Sequence, residues 1–363
     1  MRRIGWGIVG IFVLSWLFSL FCMHAAGQAG TVQIKPDDGN VTGSGDGFLQ
    51  YDLEPEVTSE VAPIEEAGNA HSADQGDLEA SVTPLSSRRI ILERYGVRTY
   101  LSVEDYLPGV MVCQVGPELG MEALKCQAVI ARTYLCRQMG DREEIQEEEL
   151  DLDYLGDHTA LEGEHLTLHQ KEQLANRLEE CKQAAKATSG VVMKYDDRYI
   201  LPLFHECSAG RTRTGEADYP YLQSVESKWD TAGEKTEAVT YEKSYSLRDF
   251  AQCIEKLSDT PTLDPGTLPE QIQVVKRDDA GYVLQMKIGV RTYSGDDIQY
   301  ALDLPSSCFT MDTKTSGKVS VLAKGRGHGY GLSQHGAEAM AEEGWNYDDI
   351  LKYYYKNISL VTE

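Results

Sequence analysis

Apolar positions along the chain follow three regimes. Behind Arg2 and Arg3, the residues from Ile4 to about Ala26 are almost continuously apolar, long enough to cross roughly 30 Å of hydrocarbon and longer than a usual secretory h-region. From Thr31 to Ser87 apolar residues are sparse and unpatterned, and Lys35 is the only basic side chain in a stretch rich in Asp, Glu, Gly, Ser, Thr and Pro. From Arg88 onward, periodic patterns return and run to the end of the chain. These regimes predict a transmembrane anchor over 1–27, a disordered acidic linker over 28–87 and a folded domain over 88–363. The two arginines place the N-terminus in the cytoplasm and the domain outside the membrane. Cleavage among the small residues near Ala25 to Gly27 would release the protein instead. The linker is too polar to bury the surface that would offset its ordering entropy.

Within the domain, "RRIILER" and "RTYLSV" flank a short turn and read as a hairpin. Ser102, with Asp105 three residues on, starts a short helix in the manner of a capping box. Leu124, Ala128, Ala131 and Leu135 recur at helical spacing ahead of Gly140, which predicts an amphipathic helix. Residues 168–188 read as a further helix. "GVVMKYDDRYILPLFHECSAG" reads as two strands around an Asp-Asp turn, and "QVVKRDDAGYVLQMKIGVRTYSG" as a similar pair. Helices and strands alternate too irregularly for βαβ units, so the fold class is α+β.

A net charge of −24 changes the picture by exclusion: nucleic acid, a polyanion, is not an expected partner. Of the eight cysteines, Cys22 lies in the apolar run, and an odd number outside it argues against a complete disulfide framework. Cys113, Cys126 and Cys136 stand in apolar helical surroundings, where a thiol acts as a small hydrophobe. Cys207 is two residues from His205, but two ligands do not make a zinc site.

Candidate chemistry concentrates in "KGRGHGYGLSQHGAEAM", residues 324–340. Four of its five glycines, Gly325, Gly327, Gly329 and Gly331, allow positive φ and close backbone approach; they are interleaved with Arg326 and His328, and Ser333 and Gln334 follow ahead of a helix. The Walker ending is absent, so this is not a phosphate loop. His205, Ser208 and Arg211 follow a strand in "HECSAGRT" and suit the rim of a cleft. Lys125 and Arg132, seven apart, share a helix face that contacts either a ligand or solvent and salt bridges. Trp229 and the Tyr353–Tyr355 run either stack on sugars or fill a core.

Three blocks, "DYLPGVMVCQVGPELGMEALKCQAVIARTYL", "LFHECSAGRTRTGEADYPYLQSVESKWD" and "GRGHGYGLSQHGAEAMAEEGWNYDDILKYYYKNISL", resemble the stage II sporulation protein D (SpoIID/LytB) family in order, spacing and wording, across nearly all of residues 88–363. The resemblance implies a SpoIID/LytB-like mixed domain with a glycan groove and a membrane-anchored peptidoglycan lytic transglycosylase. Such an enzyme acts on strands that an amidase has stripped of stem peptides, during engulfment. It implies glycan strands and a cell-wall amidase as partners. The family's general acid is a glutamate eight residues before the Glu of Glu-Ala-Leu-Lys; here that position is Gln114, and Glu118 is the nearest substitute acid in sequence. Gln has no proton to deliver, which opens a second reading, a glycan-binding module that recruits or activates an amidase without cutting. Family members with zinc carry Cys and His in the insertion after the Ala-Arg-Thr-Tyr helix. The corresponding segment here has His158 and His165 without Cys, so neither a metal nor any other cofactor is expected.

Overall fold

The computed structural model describes residues 84–116, 119–156, 166–231, 239–257, 262–314 and 317–363. The expected anchor at 1–27 and residues 28–83 of the expected linker lie outside these, as do Glu118, His158 and His165. Among the described residues no helix is long and apolar enough to cross a membrane. The folded part begins before Arg88: Leu85 is buried in a 3-10 turn, Leu85–Ser87, and packs into the main core. The apolar side chain at 85 moves the expected boundary toward the N-terminus.

The first hairpin pairs β1 (Arg89–Arg94) with β2 (Val97–Ser102) around Tyr95 and Gly96, both at positive φ. Ser102 then caps α1 (Val103–Gln114), its hydroxyl accepting the Asp105 N–H at 3.1 Å. The next helix, α2 (Met121–Met139), ends at Gly140 with φ +57°. β3 (Glu144–Gln146) returns to lie parallel to β1. After α3 (Leu168–Ala187), β4 (Val191–Tyr195) and β5 (Arg198–Tyr199) turn through Asp196 and Asp197, both at positive φ, and lead to the short β6 (Phe204–His205).

Residues 239–324 then form a lobe with its own core, centred on Phe250, Ile254, Met286, Ile298 and Val319. It comprises β7 (Thr240–Ser246), α4 (Leu247–Glu255), β8 (Ile272–Arg277), β9 (Val283–Ile288), β10 (Arg291–Tyr293), α5 (Gly295–Leu302), β11 (Phe309–Asp312) and β12 (Lys318–Lys324). Its strands make two antiparallel sheets, ordered β10-β9-β8 and β11-β12-β7. The chain comes back through the glycine-rich loop to β13 (Leu332–Ser333), which pairs in parallel with β6. It closes with α6 (Gln334–Glu342), α7 (Tyr347–Tyr354) and β14 (Ser359–Thr362), the last paired with β4.

One sequence expectation changes character here. The stripe on α2 predicts a helix with a solvent face, yet α1, α3, α6, α7 and β4 all pack against it, and Cys126, Val129, Ile130 and Thr133 are buried as well. A helix enclosed on most sides can be polar only where polar partners meet it. Arg132, expected to reach a glycan, is one such case. It is fully buried, with Nε and Nη2 each donating at 2.8 Å to one carboxylate oxygen of Glu104. Nη1 donates to Val191 O at 3.1 Å and Nη2 to Ala185 O at 3.0 Å. All three nitrogens are engaged, so Arg132 ties α1, α3 and β4 together and has nothing left for a ligand.

Candidate functional site

Gln114 is the last residue of α1, buried between Val112 and Val115 on the chain and held by two further glutamines. Gln127 Nε2, on α2, donates to Gln114 Oε1 at 2.8 Å. Gln334 Nε2, at the start of α6, donates to the backbone carbonyl of Gln114 at 2.9 Å and to Gln127 Oε1 at 3.2 Å. The amides thus run in one direction, from Gln334 through Gln127 to Gln114, and the chain of donors ends on Gln114 Nε2. Among the described residues no acceptor meets that amide nitrogen. Gln127 was missed by the sequence reading; a glutamine inside an otherwise apolar helix, five residues after the Glu of Glu-Ala-Leu-Lys, was the available signal.

The link from α1 to α2 is clamped from outside. Arg177, on α3, donates from Nη1 to Leu119 O at 2.8 Å and from Nη2 to Gly116 O at 2.5 Å. Glu338, one turn beyond Gln334 on α6, accepts the Gly120 N–H at 2.6 Å, satisfying a donor at the N-terminus of α2. Lys125 pairs with Glu122 at 2.5 Å, and Glu122 in turn accepts the Tyr347 N–H at 2.8 Å. Lys125 therefore borders the α2–α7 contact, and it keeps partial exposure.

The glycine-rich loop leads through β13 into Gln334. Gly325, Gly327, Gly329 and Gly331 all have φ between +69° and +99°, a range that side chains with a Cβ rarely adopt. Alternation lets the loop coil tightly while Arg326, His328 and Tyr330 project from it. At Gly329 a Cβ would stand 2.5 Å from the Tyr282 ring, and at Gly331 only 1.8 Å from Leu203 O. The loop thus packs on the inserted lobe at one point and on the chain leading to β6 at the other.

Asp230, fully buried and also missed in the sequence, joins the two motifs. Its Oδ2 accepts the Ser208 N–H at 2.9 Å and the Ser208 hydroxyl at 2.6 Å, and its Oδ1 accepts the Ser333 hydroxyl at 2.8 Å. Ser208 and Ser333, expected to bind substrate, are both fully buried in this tie. Ser333 also caps α6 by accepting the Gly336 N–H at 3.1 Å. Their hydroxyls are committed to the fold, because a buried carboxylate needs such donors.

His205 and His328 do come together, with ring centroids 5.8 Å apart. His205 Nδ1 donates to Tyr330 O at 3.1 Å, which leaves Nε2 as the lone-pair nitrogen of the neutral ring, buried and without a partner among the described residues. His328 Nδ1 accepts the Tyr330 N–H at 3.0 Å, so in its neutral form the proton is on Nε2. Burial lowers the His205 pKa to about 4, against a partial opposing effect of Asp230 and the Tyr330 carbonyl. Burial, with His205 and Arg213 nearby, holds His328 well below the ordinary imidazole value. Arg213 lies between the rings of Tyr282 and Tyr330, 4.8 and 4.5 Å from their centroids, and its Nε donates to Asp278 Oδ2 at 2.7 Å. It pins the inserted lobe to the loop.

A pH dependence follows from the histidines. Both are neutral in the folded state and titrate near 6.5 when unfolded, so their contribution to stability is complete above about pH 6.5 and is lost as pH falls from there toward 4. Urea unfolding midpoints should fall between pH 7.5 and pH 5, with a slope of up to about 1.4 kcal/mol per pH unit for each ring. Equal midpoints at the two pH values would show that the rings are not held neutral.

The remaining expected residues are dispersed. Arg326 approaches Glu206, Nε to Oε1 at 3.6 Å, on the strand bridge between Cys207 and Arg326. Arg211 is exposed, on a bridge to Glu226. The seven described cysteines are free thiols, and burial pushes Cys113, Cys136 and Cys181 up to about 12, consistent with small apolar side chains.

The SpoIID model, described as Stage II sporulation protein, matches residues 93–195, which contain Gln114 and Gln127. Stage II sporulation protein D of Bacillus amyloliquefaciens is 29% identical over 270 residues, covering 72% of this chain and 74% of that protein. Stage II sporulation protein D of Bacillus subtilis (strain 168) is 29% identical over 269 residues, with the same shares. A shorter likeness, 43% identity over 56 residues, is to an Amidase enhancer of Bacillus subtilis (strain 168), covering 15% of this chain and 8% of that protein. Residues 93–195 thus carry a SpoIID-family domain, in a chain similar over most of its length to stage II sporulation proteins D.

Proposed function

We propose that this protein holds peptidoglycan glycan strands at the wall formed by Gln114, Gln127 and Gln334, outside the membrane, as the strand-gripping member of a sporulation-associated remodelling system. The stage II sporulation proteins D it resembles support a sporulation-associated role at the cell wall. The observation that carries the finer reading is the terminal amide: Gln114 is locked by Gln127 and Gln334, and its Nε2 is left as a donor at the position where the family resemblance places an acid.

The chemistry of that amide separates holding from cutting. A lytic transglycosylase protonates the glycosidic oxygen as the C1–O bond breaks, and the carboxylate this leaves then takes the proton of the sugar's 6-hydroxyl as that oxygen closes on C1. An amide N–H can hydrogen-bond a hydroxyl or acetamido oxygen of the sugar, but it releases no proton near neutral pH. Loss of the acid removes about 10²–10⁴-fold in rate, so the wild-type groove grips denuded strands and turns them over slowly. A second reading, that the grip serves to recruit or activate an amidase, draws on the short likeness to an Amidase enhancer.

Sedimentation of the full chain with amidase-treated sacculi tests this. The protein should be retained with the sacculi while the supernatant stays free of 1,6-anhydro-muropeptides over many hours. Rapid release of those products would mean that another group, with Glu118 the first to replace by Gln, supplies the acid. Failure to sediment would remove the glycan reading itself.

A further inference from the structure

Trp229, Trp345 and Tyr353 come from three separate segments and meet edge to face, with centroids 5.7 to 6.4 Å apart. Two of them are fixed by polar anchors: Trp229, buried at the edge of the main core as the backing of the other two rings, donates from Nε1 to Glu343 Oε1 at 2.8 Å, and the partly exposed Tyr353 donates its hydroxyl to Glu226 O at 2.5 Å. Trp345 is 36% exposed, the one tryptophan among the large exposed apolar side chains of the described residues. By contrast Tyr354 and Tyr355 are fully buried, so the tyrosine run divides into a core pair and a surface member.

Cations surround this corner in a chain of net charge −24. Lys228 Nζ lies 5.1 Å from the Trp229 ring and Lys356 Nζ 4.8 Å from the Tyr353 ring. Arg211 is bridged to Glu226, whose carbonyl accepts the Tyr353 hydroxyl. Lys228 and Lys356 thus lie over rings of this corner, and the carboxylate of Glu343 is already occupied by the indole N–H. A rigid aromatic surface suits the C–H face of a pyranose, since such rings give large contact area with little entropy to lose, and the cations favour a ligand carrying a carboxylate.

We propose that Trp229, Trp345 and Tyr353, ringed by Arg211, Lys228 and Lys356, form a second carbohydrate subsite that takes a muramyl sugar whose lactyl carboxylate is free. The proposal rests on the glycan reading above and adds a position and a chemical class to it. Hydrolysis of the amide between lactyl group and stem peptide leaves one carboxylate per disaccharide, a charge far sparser than that of nucleic acid, and a peptide-bearing strand lacks that group. Connection to the first site is short along the chain: Trp229 precedes Asp230, which accepts from Ser333, and Gln334 follows it. A strand lying across both would be read once by the glutamine amide and once by ring and charge.

The test uses the full chain with three probes: amidase-treated sacculi, untreated sacculi, and amidase-treated sacculi whose carboxylates have been converted to methylamides. Wild type should prefer the first over both others. Trp345→Ala should weaken retention on the first by about tenfold, the order of one aromatic contact, without moving the thermal midpoint, because the ring is partly exposed. Lys228→Gln with Lys356→Gln should abolish the preference while leaving the residual binding to the methylamide probe unchanged. Retention of Trp345→Ala at the wild-type level, or equal wild-type binding to all three probes, overturns the subsite. If Gln334→Ala weakens retention and the corner variants do not, the first site stands and the subsite falls; if wild type binds none of the probes, both fall.

Discussion

Gln114→Glu should raise turnover of denuded glycan strands about 100-fold or more, measured as release of 1,6-anhydro-muropeptides from amidase-treated sacculi. The two side chains are nearly isosteric, and the bond that orients residue 114 suits a carboxyl group as well as an amide: Gln127 Nε2 donates to Oε1, which both possess. The other oxygen of the new carboxyl takes the place of Nε2, the end of the donor chain, where a proton can be passed on. Burial beside Val112 and Val115 raises the new group's pKa, and the single neutral donor from Gln127 offsets this only in part. The gain is set at the low end of general acid catalysis, since a groove selected around an amide need not place the glycosidic oxygen ideally. Unchanged turnover, with strands still retained, would show that the groove has diverged beyond residue 114. Efficient cutting by wild type that is abolished in Glu118→Gln would place the acid at 118.

The expected elements were recoverable from local signals, and the structure shows where local signals stop. The hairpin at 89–102, the Ser102 cap, α2 with its Gly140 stop and the Asp-Asp turn at 196–197 each rest on residues near in sequence. What escaped was tertiary. Nothing in the α2 pattern told that six other elements pack against it, so Arg132 and Gln127 could be seen as polar positions but not assigned: one became an internal ion pair, the other the orienting donor of residue 114. Asp230 closes on serines 22 and 103 residues away, and Arg177 clamps a link about 60 residues upstream; such partners have no spacing rule. Ser208 and Ser333, which the resemblance offers as substrate contacts, are buried in hydrogen bonds to Asp230, because a motif marks a neighbourhood without separating the groups that face a ligand from those that hold the loop.

Gly331→Ala should be the most damaging single change in the loop, costing about 3 kcal/mol or more. Two effects act together there. The backbone sits at φ +69°, which costs a residue with a Cβ about 1–2 kcal/mol. In addition the new methyl group would be placed 1.8 Å from Leu203 O and 3.1 Å from the Tyr355 ring. The first of these is backbone, so no side chain can swing away to relieve it. Leu203 O already accepts the Leu332 N–H at 3.1 Å and the Tyr355 hydroxyl at 2.6 Å, and moving it breaks the entry to the β6–β13 pairing and leaves a buried hydroxyl unpaired. Gly96→Ala separates the two effects: its φ is +76° and nothing lies within 4 Å of the added carbon, so it should cost only the conformational part. Urea unfolding of the two variants should therefore give midpoints well apart, with Gly331→Ala the lower. Since β13 leads directly into Gln334, that variant should also lose glycan retention under conditions where Gly96→Ala keeps it. Equal destabilisation by both substitutions would mean that the loop yields at Leu203, and that the close approach of the two backbones is not what holds the glutamine wall in place.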